Sequence, residues 1–397
     1  MKKLLALILT LSFVLCLSAC GTSNNGAADG SNAQENQNNT VDDDTSENPN
    51  AHNLGVILSQ GGLGDLGYND SAAAGCEVIK EKYGVDYVLT DPKEIAQGET
   101  YVRELAEEGY GAIFCLEWSL NDTMRMVAQD YPDQYFIVVG LFDSGEVPEN
   151  VIIIDSYLGQ AQANFLCGVI ASFVATDGNT IIDGVAQNVG DPKLGCIFGT
   201  ESVGFYMAND AFEHGAKFYN PKATVISDYT VGFSDAANGK NVVDNMVNSL
   251  GVDVVYCCAG AAGIGGLQAC RINNAFGIGV DSNQDGYEPG YILTSMLKYT
   301  DRQVELIGEM LANDELRGGM VIDCTIDTGM IGITDMETIK EYVTNPEKFA
   351  ELEQVIADVK AGLESGEIEP FNDPASRFAD WYAEQTDFLT YEEWINK

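Results

Sequence analysis

Histidine and basic residues are scarce in this chain of 397 residues. The two histidines, His52 and His214, lie far apart in the sequence. The chain therefore offers few residues for a histidine-based zinc site or a serine–histidine–aspartate triad. The sequence has 20 Lys and Arg against 61 Asp and Glu, which gives a formal net charge of −41. Because phosphate contact needs a basic surface, we expect no nucleic-acid partner. We also expect no metal site and no cofactor.

Long apolar runs are missing after the amino terminus, so we expect no membrane-spanning helix in the rest of the chain. The chain opens with two lysines and an apolar run at 4–17, the pattern of a secretory signal peptide. Leu-Ser-Ala-Cys-Gly at 17–21 resembles the lipobox of bacterial lipoproteins, in which the signal is cut before the cysteine. That resemblance implies removal of 1–19 and a lipid on Cys20. The alternative is an ordinary signal peptide with an incidental cysteine.

The segment 20–50 is rich in Asn, Asp, Ser, Gly and Ala and has almost no large apolar residues. Such a segment cannot bury enough apolar surface to offset its ordering entropy, so we interpret it as a flexible tether. A lipid, a tether and a folded domain predict a protein held at the outer face of the cell membrane without crossing it.

The chain has ten cysteines, and eight of them lie beyond the signal and the predicted lipid site. Most of these eight lie inside apolar runs, and they have no CxxC spacing. We therefore interpret them as small buried apolar residues, with a disulfide framework as the alternative.

Short apolar runs alternate with helical patterns almost throughout the chain, which predicts parallel sheets flanked by helices. The first series has strands at 54–58, 86–89, 112–116, 135–139 and 151–154, and a second series begins at 194–198. Two series and about 345 residues favour two α/β lobes. We assign 53–175 and about 294–320 to the first lobe, including a strand at 291–296, and 176–293 with part of 321–370 to the second. The tail, 371–397, contains aromatic residues that we expect to pack on a lobe.

Several segments in this order resemble the basic membrane protein family, whose members include purine nucleoside receptors of ABC importers. They are GGLGDLGYND at 61–70, KLGCIFG at 193–199, YTVGFSD at 229–235, AGAAG at 259–263, GVDSNQ at 279–284 and LTSMLK at 293–298. The resemblance implies a two-lobed type I periplasmic-binding-protein fold with a ligand cleft between the lobes. In such α/β sheets the ligand lies beyond the carboxyl ends of the strands.

The resemblance also implies the roles of individual residues. Tyr68 and Phe233 match the two rings that enclose the base, Asp281 and Lys298 match the pair that takes the ribose hydroxyls, and Gly260 lets the sugar approach the backbone.

At other positions the resemblance leaves the role of the residue open. Asn69 matches a residue that either binds the ligand or caps its helix. The chain departs from the family at Ser59, where the family has an aspartate, and near Gly140, where it has a second one. Trp118 and Asp143 lie near strand ends and are candidates to compensate.

The implied function is binding without catalysis, by a monomer that delivers a nucleoside to ABC permease and ATPase subunits. One alternative keeps the fold and makes the protein a sensor. Another changes the ligand to a sugar, amino acid or autoinducer, with Trp118 stacked on a sugar ring.

A third alternative is a nicotinamide-dependent oxidoreductase. The segment 62–67 reads GxGxxG between a predicted strand and helix, and Asp91 follows the next strand. An exported protein is not expected to meet such a cofactor, and His214 alone is a poor proton-transfer group.

Overall fold

The computed structural model describes residues 48–92, 94–140, 146–186 and 190–371, together with Tyr391, Trp394 and Asn396. Within these residues the chain forms two six-stranded sheets, each flanked by helices. Element labels follow chain order.

The first sheet is entirely parallel and has the order β11-β5-β4-β3-β1-β2. Its strands are β1 (Leu54–Ile57), β2 (Tyr87–Thr90), β3 (Ala112–Cys115), β4 (Tyr135–Val139), β5 (Val151–Asp155) and β11 (Val321–Asp323). The helices of this lobe are α1 (Tyr68–Tyr83), α2 (Gly98–Glu107), α3 (Asn121–Ala128) and α8 (Thr300–Ala312).

The second sheet has the order β12-β10-β9-β8-β6-β7, and β12 is antiparallel to β10. Its strands are β6 (Lys193–Phe198), β7 (Thr224–Asp228), β8 (Val254–Cys258), β9 (Phe276–Asp281), β10 (Ile292–Leu297) and β12 (Gly332–Ile333). The helices of this lobe are α4 (Tyr157–Ala175), α5 (Val203–Tyr219), α6 (Ala236–Leu250), α7 (Gly260–Ile272), α9 (Glu337–Lys340) and α10 (Pro346–Ser365). The two-lobed α/β fold expected from the sequence is therefore confirmed.

The central strands are buried on both faces, which explains their continuous apolar sequences. Every residue of β1, β3, β8, β9 and β10 is buried. Parallel strands covered by helices on both sides require such runs, whereas a half-exposed strand shows alternation.

Helices α4 and α5 approach each other closely through two glycines. A β-carbon at Gly168 would lie 1.9 Å from the carbonyl oxygen of Phe212, and one at Gly215 would lie 1.9 Å from that of Phe165. Each glycine therefore makes room for the backbone of the other helix. This contact fixes α4 on the second lobe, with its first turns directed toward the cleft.

The chain passes between the lobes at three places within the described residues: between β5 and α4, between β10 and α8, and between β11 and β12. The strand predicted at 291–296 was expected in the first lobe, and this was wrong, because β10 pairs with β9 in the second sheet. Helix α8 does return to the first lobe, where it packs on α1. Helix α4 was also expected in the first lobe, but it packs on the second sheet and on α5. Apolar periodicity identifies such elements but carries no information on which sheet they cover.

All eight cysteines beyond the amino terminus are buried free thiols, as expected. Burial raises the pKa of the Cys115 thiol to about 12, so it stays protonated and unreactive at neutral pH.

The tail was expected to pack on a lobe, and two of its aromatic residues do so. Tyr391 packs at 5.7 Å from Tyr219 and Trp394 at 6.1 Å from Phe218, measured between ring centroids. Other tail residues, including Trp381 and Tyr382, lie outside the described residues.

One helix among the described residues, α4, has the length and apolar composition of a membrane span, and most of it is buried inside the fold. Core helices of folded domains share these properties.

Candidate ligand-binding cleft

A cavity of about 460 Å³ lies between the lobes, where strand ends of both sheets converge. Its walls include the loop after β1, the turn after β3, the first turns of α4 and the ends of β8, β9 and β10. A second cavity, of about 640 Å³, lies beside the β10–α8 crossing and is lined by Tyr299 and Met336 among others. We assign the ligand site to the cavity at the strand ends, because ligands of parallel α/β sheets bind there.

Two partly buried aromatic rings, those of Tyr68 and Phe233, line the cavity from opposite lobes. Tyr68 is the first residue of α1, and its hydroxyl lies 3.4 Å from the carbonyl oxygen of Leu116. Phe233 lies in the β7–α6 loop, against Gly199, where a β-carbon would come within 2.3 Å of its ring. The absence of a side chain at residue 199 therefore leaves the space that this ring occupies.

The cavity also contains a largely buried ion pair. Asp281, the last residue of β9, is 8% exposed and has a left-handed backbone with φ of 68°. The Lys298 ammonium lies 2.9 Å from its Oδ1 and 5.1 Å from the centroid of the Tyr68 ring. Although burial opposes the charge on Lys298, the Asp281 carboxylate and other neighbouring groups together raise the pKa of the ammonium. The lysine is therefore charged at neutral pH.

Asn69 does not line the cavity, although it was expected as a ligand-binding candidate. It is fully buried behind the wall. Its oxygen accepts a hydrogen bond from the Ser59 amide at 2.8 Å, and its NH₂ donates to Asp65 at 2.9 Å. In this structure the side chain of Asn69 neither faces the cavity nor caps α1, since both ends of its amide hold the β1–α1 loop together.

In the β1–α1 loop, which carries the GxGxxG pattern, and in the first turn of α1, several backbone amides are already bonded to side chains. The Asp65 carboxylate accepts from the amides of Gly67, Asn69 and Asp70. The Asp70 carboxylate accepts from the amides of Gly64 and Leu66. A dinucleotide pyrophosphate needs free amides at such a turn, so this loop is not built as an oxidoreductase cofactor site.

Three other predicted residues line the same cavity. Ser59 follows β1, and Trp118 lies in the turn after β3 with 52% of its surface exposed. Gly260 begins α7 with φ of 52°, and a β-carbon there would lie 3.0 Å from the carbonyl oxygen of Phe233. Asp143 lies outside the described residues.

Several cavity residues were missed by the sequence analysis. Glu117 is 4% exposed and accepts hydrogen bonds from the Gln60 and Ser119 amides. Its position just after the apolar strand β3 could have predicted that it lies at the ligand-binding edge of the sheet. Asn164 and Gln303 lie inside α4 and α8, and no local pattern marks which polar residue of a helix faces a cleft.

Hydrogen bonds join the two lobes next to Asp65 and Asp281 of the cavity wall. The Leu66 carbonyl oxygen, in the first lobe, accepts from Ser282 Oγ at 2.9 Å and from Gln284 Nε2 at 3.2 Å. Leu66 itself has a left-handed backbone with φ of 52°. These contacts hold the lobes together beside the cavity.

Comparisons with known proteins agree with this geometry. A basic membrane protein A from Borreliella afzelii is 25% identical over 325 residues, which cover 80% of this chain and 91% of the relative. An uncharacterized lipoprotein from Pyrococcus furiosus is 27% identical over 300 residues, covering 73% and 71%. The crystal structure of an ABC transporter solute-binding protein from Aeropyrum pernix K1 superposes with a TM-score of 0.71 at 25% identity, covering 84% of this chain and 96% of that one.

The sequence profile of the family described as "ABC transporter substrate-binding protein PnrA-like" matches residues 52–362. The fold is that of type I periplasmic solute-binding proteins. The family binds substrate for a transporter and is not a family of enzymes, and its named relatives here include lipoproteins. The chain therefore belongs to the PnrA-like family of ABC transporter substrate-binding proteins.

Proposed function

We propose that this substrate-binding protein takes a purine nucleoside between its lobes and delivers it to ABC permease and ATPase subunits. The observation that carries the proposal is that two aromatic rings, Tyr68 and Phe233, and one ion pair, Asp281–Lys298, line a single cavity. A flat apolar ring and a hydroxyl-bearing group are the two halves of a nucleoside.

The rings suit the base. Tyr68 and Phe233 come from different lobes, so lobe closure brings both against the faces of a planar ligand. Stacking of a base on an aromatic side chain contributes about 1–3 kcal/mol. The backbone at Gly260, open because it lacks a side chain, lies beside Phe233 and gives the ligand access to main-chain groups.

The ion pair suits the sugar. The Asp281 carboxylate lies 2.9 Å from the Lys298 ammonium, and both residues line the cavity. A carboxylate accepts hydroxyl hydrogen bonds, which are strengthened by its charge, while the ammonium donates to the same hydroxyls. Two vicinal hydroxyls satisfy both members of the pair.

The site binds and releases its ligand without chemical change. Closure of the lobes about the three crossing segments removes the ligand from water, and the closed form docks on the permease. The predicted signal sequence before Cys20 and the predicted tether after it favour a lipid anchor at the outer face of the cell membrane.

A thermal-shift screen over nucleosides, free bases, sugars and amino acids tests the ligand class, because a ligand that binds only the folded state raises its melting temperature. We expect purine nucleosides to give the largest shift, confirmed by calorimetry with one site per chain. Stabilisation by a sugar or amino acid, with none by any nucleoside, would overturn the proposal.

A further inference from the structure

Helix α1, which has Tyr68 as its first residue, begins without a capping side chain of its own. Its N-cap residue is Gly67. The N-cap residue of a helix usually supplies a side-chain oxygen to the free amides of the first turn. A β-carbon at Gly67 would already lie 3.4 Å from that of Asp281 in the other lobe, so a longer side chain has little room there. The free amides of α1 therefore need another acceptor.

That acceptor is the side chain of Asp65, two residues before the N-cap. Its Oδ1 accepts from the amides of Gly67 at 3.0 Å and Asp70 at 3.2 Å, and its Oδ2 accepts from the amide of Asn69 at 2.9 Å. The bonded amides lie on both sides of Tyr68 in the chain. One carboxylate therefore fixes the backbone from which the Tyr68 side chain reaches the cavity.

The loop ahead of α1 has an irregular backbone. Positive φ angles occur at Gly61, Gly62, Gly64 and Leu66, with values of 105°, 62°, 90° and 52°. Such a backbone belongs to no helix or strand, so its amides depend on side chains for acceptors. The left-handed conformation of Leu66 is costly and persists only where neighbouring bonds hold it. The bonds to Asp65 immediately follow this residue.

Asp65 lines the cavity but has no acceptor site left for a ligand. An ionised carboxylate offers about four lone-pair sites. Backbone amides take three of these sites, and the NH₂ group of Asn69 takes the other at 2.9 Å. The side chain is also 5% exposed. Its influence on a ligand therefore passes through the neighbouring Tyr68 ring.

We propose that Asp65 is a positioning residue for ligand binding, which holds the start of α1 so that the Tyr68 ring lies where the ligand stacks. The inference rests on the stacking role given to Tyr68 in the proposed function. Loss of the carboxylate frees the amides of the first turn and displaces the ring. Binding then weakens although every residue in contact with the ligand is retained.

A double-mutant cycle separates this role from direct contact and from a purely structural role. Asp65→Asn keeps the shape but replaces one acceptor oxygen by an NH₂ group, which is a donor facing donors. We expect it to raise the dissociation constant of the tightest binder among adenosine, guanosine and inosine by at least about fivefold, the lower end of what lost stacking costs. In the Tyr68→Ala background the same substitution should change the constant by less than about twofold, because the ring is already absent.

Equal weakening in both backgrounds would show that Asp65 acts on the ligand without Tyr68 and would overturn the inference. An unchanged dissociation constant in folded Asp65→Asn would overturn it as well. Asn345→Ala, which removes the cap of α10 outside the cavity, is the matched control and should bind normally. An equal loss of affinity in this control would refute a specific role of Asp65. Asp65→Glu keeps the charge on a longer side chain and should show the same pattern if Asp65→Asn does not fold.

Amide exchange tests the same role without a ligand. In the unaltered protein, hydrogen-exchange mass spectrometry should show slow exchange in the peptide that covers 66–71, since Asp65 binds three of its amides. Exchange at the rate of an unstructured chain would overturn the inference. If none of the three nucleosides binds, the proposed function fails, while exchange in this peptide still decides whether Asp65 holds the first turn.

Discussion

The ammonium of Lys298 lies 2.9 Å from the carboxylate of Asp281, across the turn that leads from β10 to the first lobe. The pair joins the carboxyl ends of two neighbouring strands, β9 and β10, inside the cavity. It is therefore both a structural link and the proposed partner of the sugar, and the two roles can be separated by mutation.

Replacement of Asp281 by asparagine removes the charge and keeps the shape. Asparagine also tolerates the left-handed backbone of residue 281 better than alanine does. We expect the affinity for the best ligand of the screen to fall by about 10- to 100-fold, because a hydrogen bond to a charged group contributes about 1.5–3 kcal/mol. Calorimetry measures the effect. Asp228→Asn, at the end of β7 and outside the cavity, is the control and should bind normally. Normal binding by folded Asp281→Asn would exclude the proposed role.

Two substitutions test the position of the Phe233 ring, one of the ring itself and one of the glycine beside it. Phe233→Ala should weaken binding by about tenfold or more through the loss of stacking. Gly199→Ala should weaken it as well, because the added methyl group overlaps the ring. Gly286→Ala adds a methyl group where no atom lies within 4 Å and should leave the dissociation constant unchanged. If Phe233→Ala binds as the unaltered protein does, the ring is not part of the site.

Loss of Asn69 should affect folding first. Asn69→Ala removes the side-chain bonds that connect Ser59 and Asp65, and we expect the free energy of unfolding to fall by about 1–3 kcal/mol in urea titrations. Asn238→Ala removes a side-chain hydrogen bond to the Val231 carbonyl oxygen outside the cavity. Its effect on the free energy of unfolding shows what a comparable loss costs elsewhere. Unchanged stability together with abolished binding would instead indicate direct contact with the ligand.

His214 makes stability depend on pH in a defined window. Burial lowers the pKa of its imidazole from 6.5 to about 4, and its Nδ1 lies 2.8 Å from the carbonyl oxygen of Pro370. Since the unfolded chain binds a proton between pH 6.5 and 4 while the folded protein does not, this group destabilises the fold as the pH falls through that window and has no effect above it. His214→Gln should lose less stability than the unaltered protein between pH 7 and 4, by up to about 3 kcal/mol. Parallel curves for the two proteins in urea titrations at each pH would show that His214 does not titrate this way.

A phosphate on the ligand should be rejected. Buried carboxylates outnumber ammonium groups in the cavity, so adenosine monophosphate should bind at least about tenfold more weakly than adenosine at low salt. Adenosine with a neutral 5′-O-methyl group controls for size in the same calorimetric series. Equal or tighter binding of the monophosphate would show that the charge of the cavity does not set this preference.

Much of the fold follows from the sequence alone, because buried parallel strands leave an unmistakable apolar pattern. The pattern identified β10 as a strand, but the prediction that it belongs to the first lobe was wrong. Which sheet a strand joins depends on contacts with residues far away in the sequence. Tyr68, Phe233, Gly260, Asp281 and Lys298 were found through a resemblance whose motifs follow strand ends, and the structure brings them to one cavity. Asn164 and Gln303 were missed, because whether a polar residue of a helix faces a cleft depends on how the helix is docked. Asn69 shows the opposite case, a residue inside a matching motif whose bonds all go to its own loop.

In the hydrogen bonds that join the lobes beside the cavity, the acceptor is the main-chain oxygen of Leu66, whereas both donors are side chains. A carbonyl group is present whatever residue occupies position 66, so evolution cannot delete it by substitution there. Substitution of Ser282 or Gln284 therefore alters this contact, whereas substitution of Leu66 leaves its acceptor in the chain. Ser282 is the cleaner site for such a change, because Gln284 also accepts a hydrogen bond from the amide of Val280, the residue before Asp281.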